Sequence, residues 1–162
     1  MPLSMPSVEE LALLEKSLVF PQFSCEDAMK LGLLVVERAK RENKIIAVSV
    51  SIGRQTVFQF SLDGLAPNSD NWIRRKSNVV YQFRQSSLLT RLSIEQKGSS
   101  LEVHGLSSAD YVLMGGSVPI RVKGADVVGA ITVTGLDHLS DHEYVVDAIT
   151  RYIASMAEKD EH

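Results

Sequence analysis

The stretch IIAVSVSIGRQTVFQFSL, residues 45–62, alternates apolar and small polar residues with period two on both sides of a Gly-Arg-Gln break. That is the pattern of a β-hairpin with one buried face. Ile46, Val48, Val50 and Ile52 share a face, and Thr56, Phe58, Phe60 and Leu62 continue it after the break. A two-residue loop at Gly53-Arg54 sets Val50 across from Val57 and leaves Phe58 facing Ser49. A three-residue loop, Gly53 to Gln55, sets Ile52 opposite Thr56, Val50 opposite Phe58 and Val48 opposite Phe60. The second choice gathers the large apolar residues on one side, so a three-residue loop is expected. The other side, Ala47, Ser49, Ser51, Gln59 and Ser61, is small and polar, and is expected to face water or another subunit.

The same reasoning applies to GGSVPIRVKGADVVGAITVTG, residues 115–135. A four-residue loop, Lys123 to Asp126, pairs Val122 with Val127, Ile120 with Gly129 and Val118 with Ile131, and places Arg121 on the opposite face near Val128 and Ala130. Pro119 cannot donate to a ladder, so its strand is expected at an edge or with that nitrogen turned outward.

Three helix starts carry a Ser followed three residues later by an acid, which satisfies two orphan backbone donors reciprocally. They are Ser7 with Glu10, Ser24 with Asp27, and Ser140 with Glu143. Behind Ser24 the most consistent apolar face is Leu31, Leu34, Val35 and Ala39, so this helix is expected to be buried. Behind Ser140 the stripe Val145, Ala148, Ile149, Tyr152, Ile153 and Met156 is expected to lie along a sheet. Two hairpins, a helix between them and helices at both ends make an α+β domain on an antiparallel sheet. With 162 residues, one domain spanning 1–162, with its core at about 8–155, is expected.

Composition narrows the function classes. Asp and Glu (20) outnumber Lys and Arg (17), for a net charge of −3, which argues against a general nucleic-acid binder. The single Cys25 rules out an intrachain disulfide framework. MPLSMPSVEELALLEKSL does not read as a secretory signal, and no apolar run reaches the length of a bilayer span. A cytoplasmic protein with no membrane partner is the expectation.

One motif carries chemistry. In NSDNWIRRKSNVV, residues 68–80, three cations stand in a row at the start of a helix, where the macrodipole opposes them. Asn68 or Ser69 is the expected N-cap, and Asp70 supplies an offsetting first-turn carboxylate. Trp72, Lys76, Val79 and Phe83 fall on one stripe, which places Lys76 among apolar residues while Arg74 and Arg75 point elsewhere. The plain reading is a snorkelling lysine and two solvated arginines. The sharper one is a site for an anion or a carboxylate. Elsewhere, His138 and His142 are four apart, but with Ser140 as the cap His138 lies outside the helix and no metal site is expected. His104 reads as a solvated loop residue. Gly115-Gly116 reads as a turn or as an anion-binding nest.

The runs GLAPNSDNWIRRKSNVVYQFRQSS, GGSVPIRVKGADVVGAITVTGL and DHEYVVDAI together resemble the GlcG/HbpS-like proteins, also called the haem-degrading domain family, and within it the small cytosolic branch. The resemblance spans roughly residues 8–155 and rests on several long motifs in order. It implies a profilin-like fold and homo-oligomers. Haem follows by family analogy only, with His104, His138, His142, Tyr111 and Met114 as the available axial ligands; no catalytic residue carries over. Asp141-His142 matches the family pattern, which adds His142 to the candidates.

The candidate ligand-binding set is therefore Asn71, Trp72, Arg74, Arg75, Lys76, Arg121 and His142, with no metal site. The leading reading is a cytosolic homo-oligomer that binds a small acidic molecule or an acidic partner segment. Haem binding or degradation is the alternative, and an adaptor in protein targeting or assembly is a third. Leu11, Leu13, Leu14, Leu18, Val19 and Phe20 give the N-terminal segment more apolar surface than a peripheral helix needs, so that segment and the face around Trp72 are expected to make the contacts between copies.

Overall fold

The computed structural model describes residues 4–160. Along them run α1 (Val8–Ser17), β1 (Val19–Phe20), α2 (Cys25–Arg41), β2 (Ala47–Ile52), β3 (Gln55–Ser61), α3 (Ser69–Phe83), α4 (Ser87–Gln96), a 3-10 turn (Glu102–His104), β4 (Ser117–Val122), β5 (Asp126–Thr134) and α5 (His138–Asp160). The strands form one sheet in the order β1-β4-β5-β2-β3. The two hairpins are antiparallel as expected, and the short β1 joins β4 in parallel, so the sheet is mixed.

Both hairpins keep the expected register in mid-strand and depart from it at the turn. In the first, Val50 pairs with Phe58 and Val48 with Phe60, but Ile52 pairs with Gln55 across a two-residue turn. Gly53 and Arg54 both have positive φ (57° and 68°), as a type I′ turn requires. Val57 is then the extra residue of a β-bulge, which returns Phe58 to the apolar face. In the second hairpin Val122 pairs with Asp126 and Arg121 with Val127, and a bulge at Val128 restores Ile120 to Gly129 and Val118 to Ile131. The four-residue loop and the placing of Arg121 beside Ala130 are thus corrected: Pro119 stands opposite Ala130, on the part of β4 that β1 does not reach.

α2 and α5 cover one face of the sheet. Leu31, Val35 and Ala39 of α2 and Val145, Ala148 and Ile149 of α5 close over Val48, Val50, Val118 and Ile131, all essentially without exposure. Ser24 and Asp27 form the full capping box at α2. At α5 the cap is not Ser140. Asp137 accepts from the Ser140 backbone N–H at 3.0 Å and from its hydroxyl at 2.7 Å, so the helix begins at His138 and both His138 and His142 are helical.

α3 covers the opposite face. The small polar side of β2 therefore faces neither water nor another subunit: Ser49 and Ser51 are buried beneath α3, and only Gln59 and Ser61 on β3 remain exposed. α1 packs against α4, with Leu11 buried between Leu88 and Leu89, while Leu13 stays 74% and Leu14 41% exposed. No described helix is long and apolar enough to cross a membrane.

Candidate functional site

The row of cations at α3 is resolved by giving each its own oxygen. Arg74 lies between the Asp110 carboxylate (2.9 Å), the Ala109 carbonyl (2.8 Å) and the Asn71 side-chain oxygen (3.0 Å). Arg75 stacks on the Trp72 ring, 5.1 Å from its centroid, and donates to the Ser108 carbonyl at 3.1 Å. Both arginines thereby hold the 107–112 loop against α3. Asn68 makes no side-chain cap bond, and Asp70 accepts instead from Gln59 of β3 at 2.8 Å.

Lys76 is neither snorkelling nor solvated. It is 2% exposed, and its Nζ donates to Asp141 Oδ2 at 2.9 Å and to the Val133 carbonyl at 3.0 Å. Asp141, in the first turn of α5, also accepts from the Leu136 N–H at 3.0 Å. Burial pushes the Asp141 carboxyl up to about 6 and the Lys76 ammonium down, while their mutual attraction holds both charges in place. At neutral pH the pair is ionic. Gly115 and Gly116 form no nest around an anion; they let the chain pass close to this pair. A Cβ at Gly116, where φ is +133°, would stand 2.5 Å from the Val133 carbonyl oxygen and 2.8 Å from Lys76 Nζ.

Above the pair opens a pocket of about 430 Å³, walled by Trp72, Leu65, Met114, Leu136 and His138, with Lys76 and Asp141 at its floor. That is the size of a small-molecule site. His138 Nδ1 accepts from the Gly115 backbone N–H at 3.0 Å, which fixes the proton on Nε2. Burial and the nearby Arg91 and Lys76 depress its basicity, so the ring stays neutral and offers a donor.

The structure unites Trp72, Lys76 and, through the loop, Asn71 and Arg74–Arg75 around the start of α3. It sets Arg121 apart, where it pairs with Asp126 at 3.0 Å and donates to the Arg84 carbonyl at 2.8 Å. His142 turns the opposite way from its neighbour Asp141, into a gap of about 320 Å³ between α5 and α1, beside Leu11, Leu88 and Leu139. There it is buried, its Nδ1 has no partner among the described residues, and its basicity falls to about 4 through desolvation. His138 as a pocket wall was not legible without the Asp137 cap of α5.

Haem would need an axial ligand from these residues. His138 Nδ1 is engaged by Gly115, leaving the other nitrogen protonated; the Met114 sulfur takes Arg91 Nη1 at 3.4 Å; His104 packs edge-on against Phe83. His142 faces the separate gap between α5 and α1, and Tyr111 does not line the pocket. No axial position is prepared, so the pocket does not fit haem held by an iron–side-chain bond. Among the described residues no cluster of three or more His, Cys, Asp or Glu side chains is placed to hold a metal ion.

A family model described as Haem degrading protein HbpS-like matches residues 23–150. UPF0303 proteins of Burkholderia mallei and Rhizobium rhizogenes are 42% and 38% identical over 143 and 142 residues, covering 88% of this chain and 87% and 88% of theirs. Among solved structures, the Ybr137w protein superposes with a TM-score of 0.85 at 26% identity, over 96% of this chain and 91% of that one. A structure titled as a PduOC:Heme complex superposes with a TM-score of 0.64 at 18% identity, over 82% of this chain and 94% of that one; at that identity it shares the fold alone.

Proposed function

We propose that this chain, which belongs to the HbpS-like family of haem-degrading proteins, binds a flat, largely apolar small molecule bearing a carboxylate or carbonyl in the pocket between the starts of α3 and α5. One observation carries the reading: a buried ion pair, Lys76–Asp141, floors a pocket walled by an indole and by the N–H of a neutral His138. The apolar wall accounts for the body of the ligand, and the His138 donor and third Lys76 proton for its acceptor. The charged groups lining the pocket are Lys76, Asp141 and Asp137, so it carries no surplus positive charge, and recognition rests on hydrogen bonds and stacking more than on net attraction.

Trp72 is the sole tryptophan, so fluorescence reports on this pocket directly. Titration with 1-naphthoate is expected to raise the melting temperature saturably, and Trp72→Ala to abolish the rise. A melting temperature indifferent to 1-naphthoate overturns the reading. Haem is the second reading, favoured by the family alone. It predicts a Soret band that shifts and sharpens on mixing; a band unchanged by the protein rejects it.

The reading includes a homo-oligomer, supported by the exposed Leu13 and Leu14 on α1. Light scattering tests it, and a monomeric mass at micromolar concentration rejects it.

A further inference from the structure

α3 rests on the sheet through the buried Ile73, Lys76, Val79 and Val80, and its flank toward β2 and β3 is polar. Asp70, Ile73, Arg74, Ser77, Asn78 and Tyr81 recur at helical spacing, and they face Ser49, Ser51, Thr56 and Gln59 across a cleft of about 260 Å³. A helix seated on a sheet ordinarily presents an apolar stripe. Beside that stripe, hydroxyls and amides of α3 meet hydroxyls of the sheet, and the gap stays open.

Two features of the cleft point to an occupant. Ser49 is 5% exposed, opens onto the cleft, and its hydroxyl makes no hydrogen bond with any described residue. Its oxygen is reached from the cleft and is free to bond what enters there. At the mouth stands Arg54, held in the left-handed region (φ 68°) by the hairpin turn. Its guanidinium lies over the Tyr81 ring, 4.7 Å from the centroid, and one nitrogen donates to Asn78 Oδ1 at 3.1 Å. Tyr81 is itself fixed by a 2.6 Å hydrogen bond with the Ser51 hydroxyl. Arg54 has no ion pair among the described residues, so a pre-positioned guanidinium edge, the usual partner of a carboxylate, is left free. At the far end Asp70 has one carboxylate oxygen bound to Gln59 and the other available to accept a hydroxyl.

We propose that this cleft is a second ligand site, for a small hydroxycarboxylate, with the carboxylate on the free edge of Arg54 and hydroxyls on Ser49 and Asp70. The volume suits a ligand of a few carbons, and a dicarboxylate is disfavoured by Asp70. This site shares α3 with the Trp72 pocket but does not depend on it.

The test is an amide NMR titration with erythronate and with erythritol, which replaces the carboxylate by a hydroxymethyl group on the same four-carbon skeleton. Erythronate is expected to give saturable shifts centred on Ser49, Ser51 and Arg54, with the Trp72 indole signal unmoved, and erythritol to bind at least about tenfold more weakly. Arg54→Gln, an exposed turn position, is expected to keep the folded spectrum and lose the preference. Equal binding of the two probes, shifts centred on Trp72, an unchanged preference in Arg54→Gln, or no saturable shift at millimolar erythronate each overturns the proposal.

Discussion

Two ranks of side chains cross the same four strands one residue apart. Val118, Ile131, Val50 and Phe58 stand side by side on one face, and Ser117, Thr132, Ser49 and Gln59 on the other. The first rank is sealed under α2 and α5 and is part of the main core. The second lies under α3, where Ser117 and Thr132 bond each other at 2.8 Å while Ser49 is left open to a cleft. Because the side-chain period of a strand is two, one alternating sequence builds both. The apolar rank holds the fold together; the polar rank adds little stability, and the openings of the molecule gather around the helix that covers it.

The contrast is sharpest where a charge is buried at the edge of the polar side. Lys76→Met leaves the Asp141 carboxylate buried without its partner, and is expected to destabilise the chain by about 3–5 kcal/mol in denaturant unfolding. The double variant Lys76→Met/Asp141→Leu is expected to recover most of that loss, because two apolar side chains remove both desolvation penalties. A double variant no more stable than the single one would mean that the pair holds the start of α5 by more than charge.

On the apolar rank, Ile131→Ala removes a side chain with no exposure between Val118 and Val50, and is expected to cost about 3 kcal/mol from lost burial and the cavity left behind. A cost below about 1 kcal/mol would place the main core elsewhere.

His142 sits on neither rank, and pH tests its burial beside the gap between α5 and α1. Its folded pKa is depressed to about 4 from an ordinary 6.5, so the unfolded chain takes up a proton that the folded chain refuses. Its contribution is full above pH 6.5 and is lost as pH falls toward 4, by on the order of 2–3 kcal/mol. Asp141, raised to about 6, acts in the opposite sense over much of that window, since the folded chain holds its proton where the unfolded chain has lost it. The measurement is therefore a difference: stability from pH 7 to 4 in the wild type minus that in His142→Phe. A difference flat across the window would show that His142 is solvated.

How far these features are legible in sequence follows from their range. Period-two alternation reports the face of a strand, so the pairs Val50–Phe58 and Val118–Ile131 were readable, as was Lys76 on the apolar stripe of α3. The turns were not, because a bulge lets turn length and register vary separately: Val57 and Val128 each absorb one residue with no signal in composition. The Asp141 partner of Lys76 lies 65 positions away and is brought to it only by the fold. Asp137 outcompeted Ser140 as the α5 cap, and that shift of three residues turned His138 into a pocket wall. The parallel β1, two residues long, and α4, with its mixed Ser-Leu-Leu-Thr start, fall below what periodicity can resolve.

The smallest expected effect separates stability from binding within the polar rank itself. Ser51 and Ser49 lie two positions apart on one strand and one face, and both are buried. The Ser51 hydroxyl holds the Tyr81 hydroxyl at 2.6 Å, so Ser51→Ala leaves that phenol only its weak 3.3 Å contact with the Arg54 N–H and is expected to cost about 1 kcal/mol. The Ser49 hydroxyl has no such partner, so Ser49→Ala breaks no hydrogen bond within the chain and is expected to change stability by less than about 0.5 kcal/mol. The same substitution is expected to weaken erythronate binding, because the group removed is one that faces the cleft. If Ser49→Ala instead destabilises as much as Ser51→Ala while leaving erythronate binding intact, the Ser49 hydroxyl serves the fold, and the polar rank has a structural role from end to end.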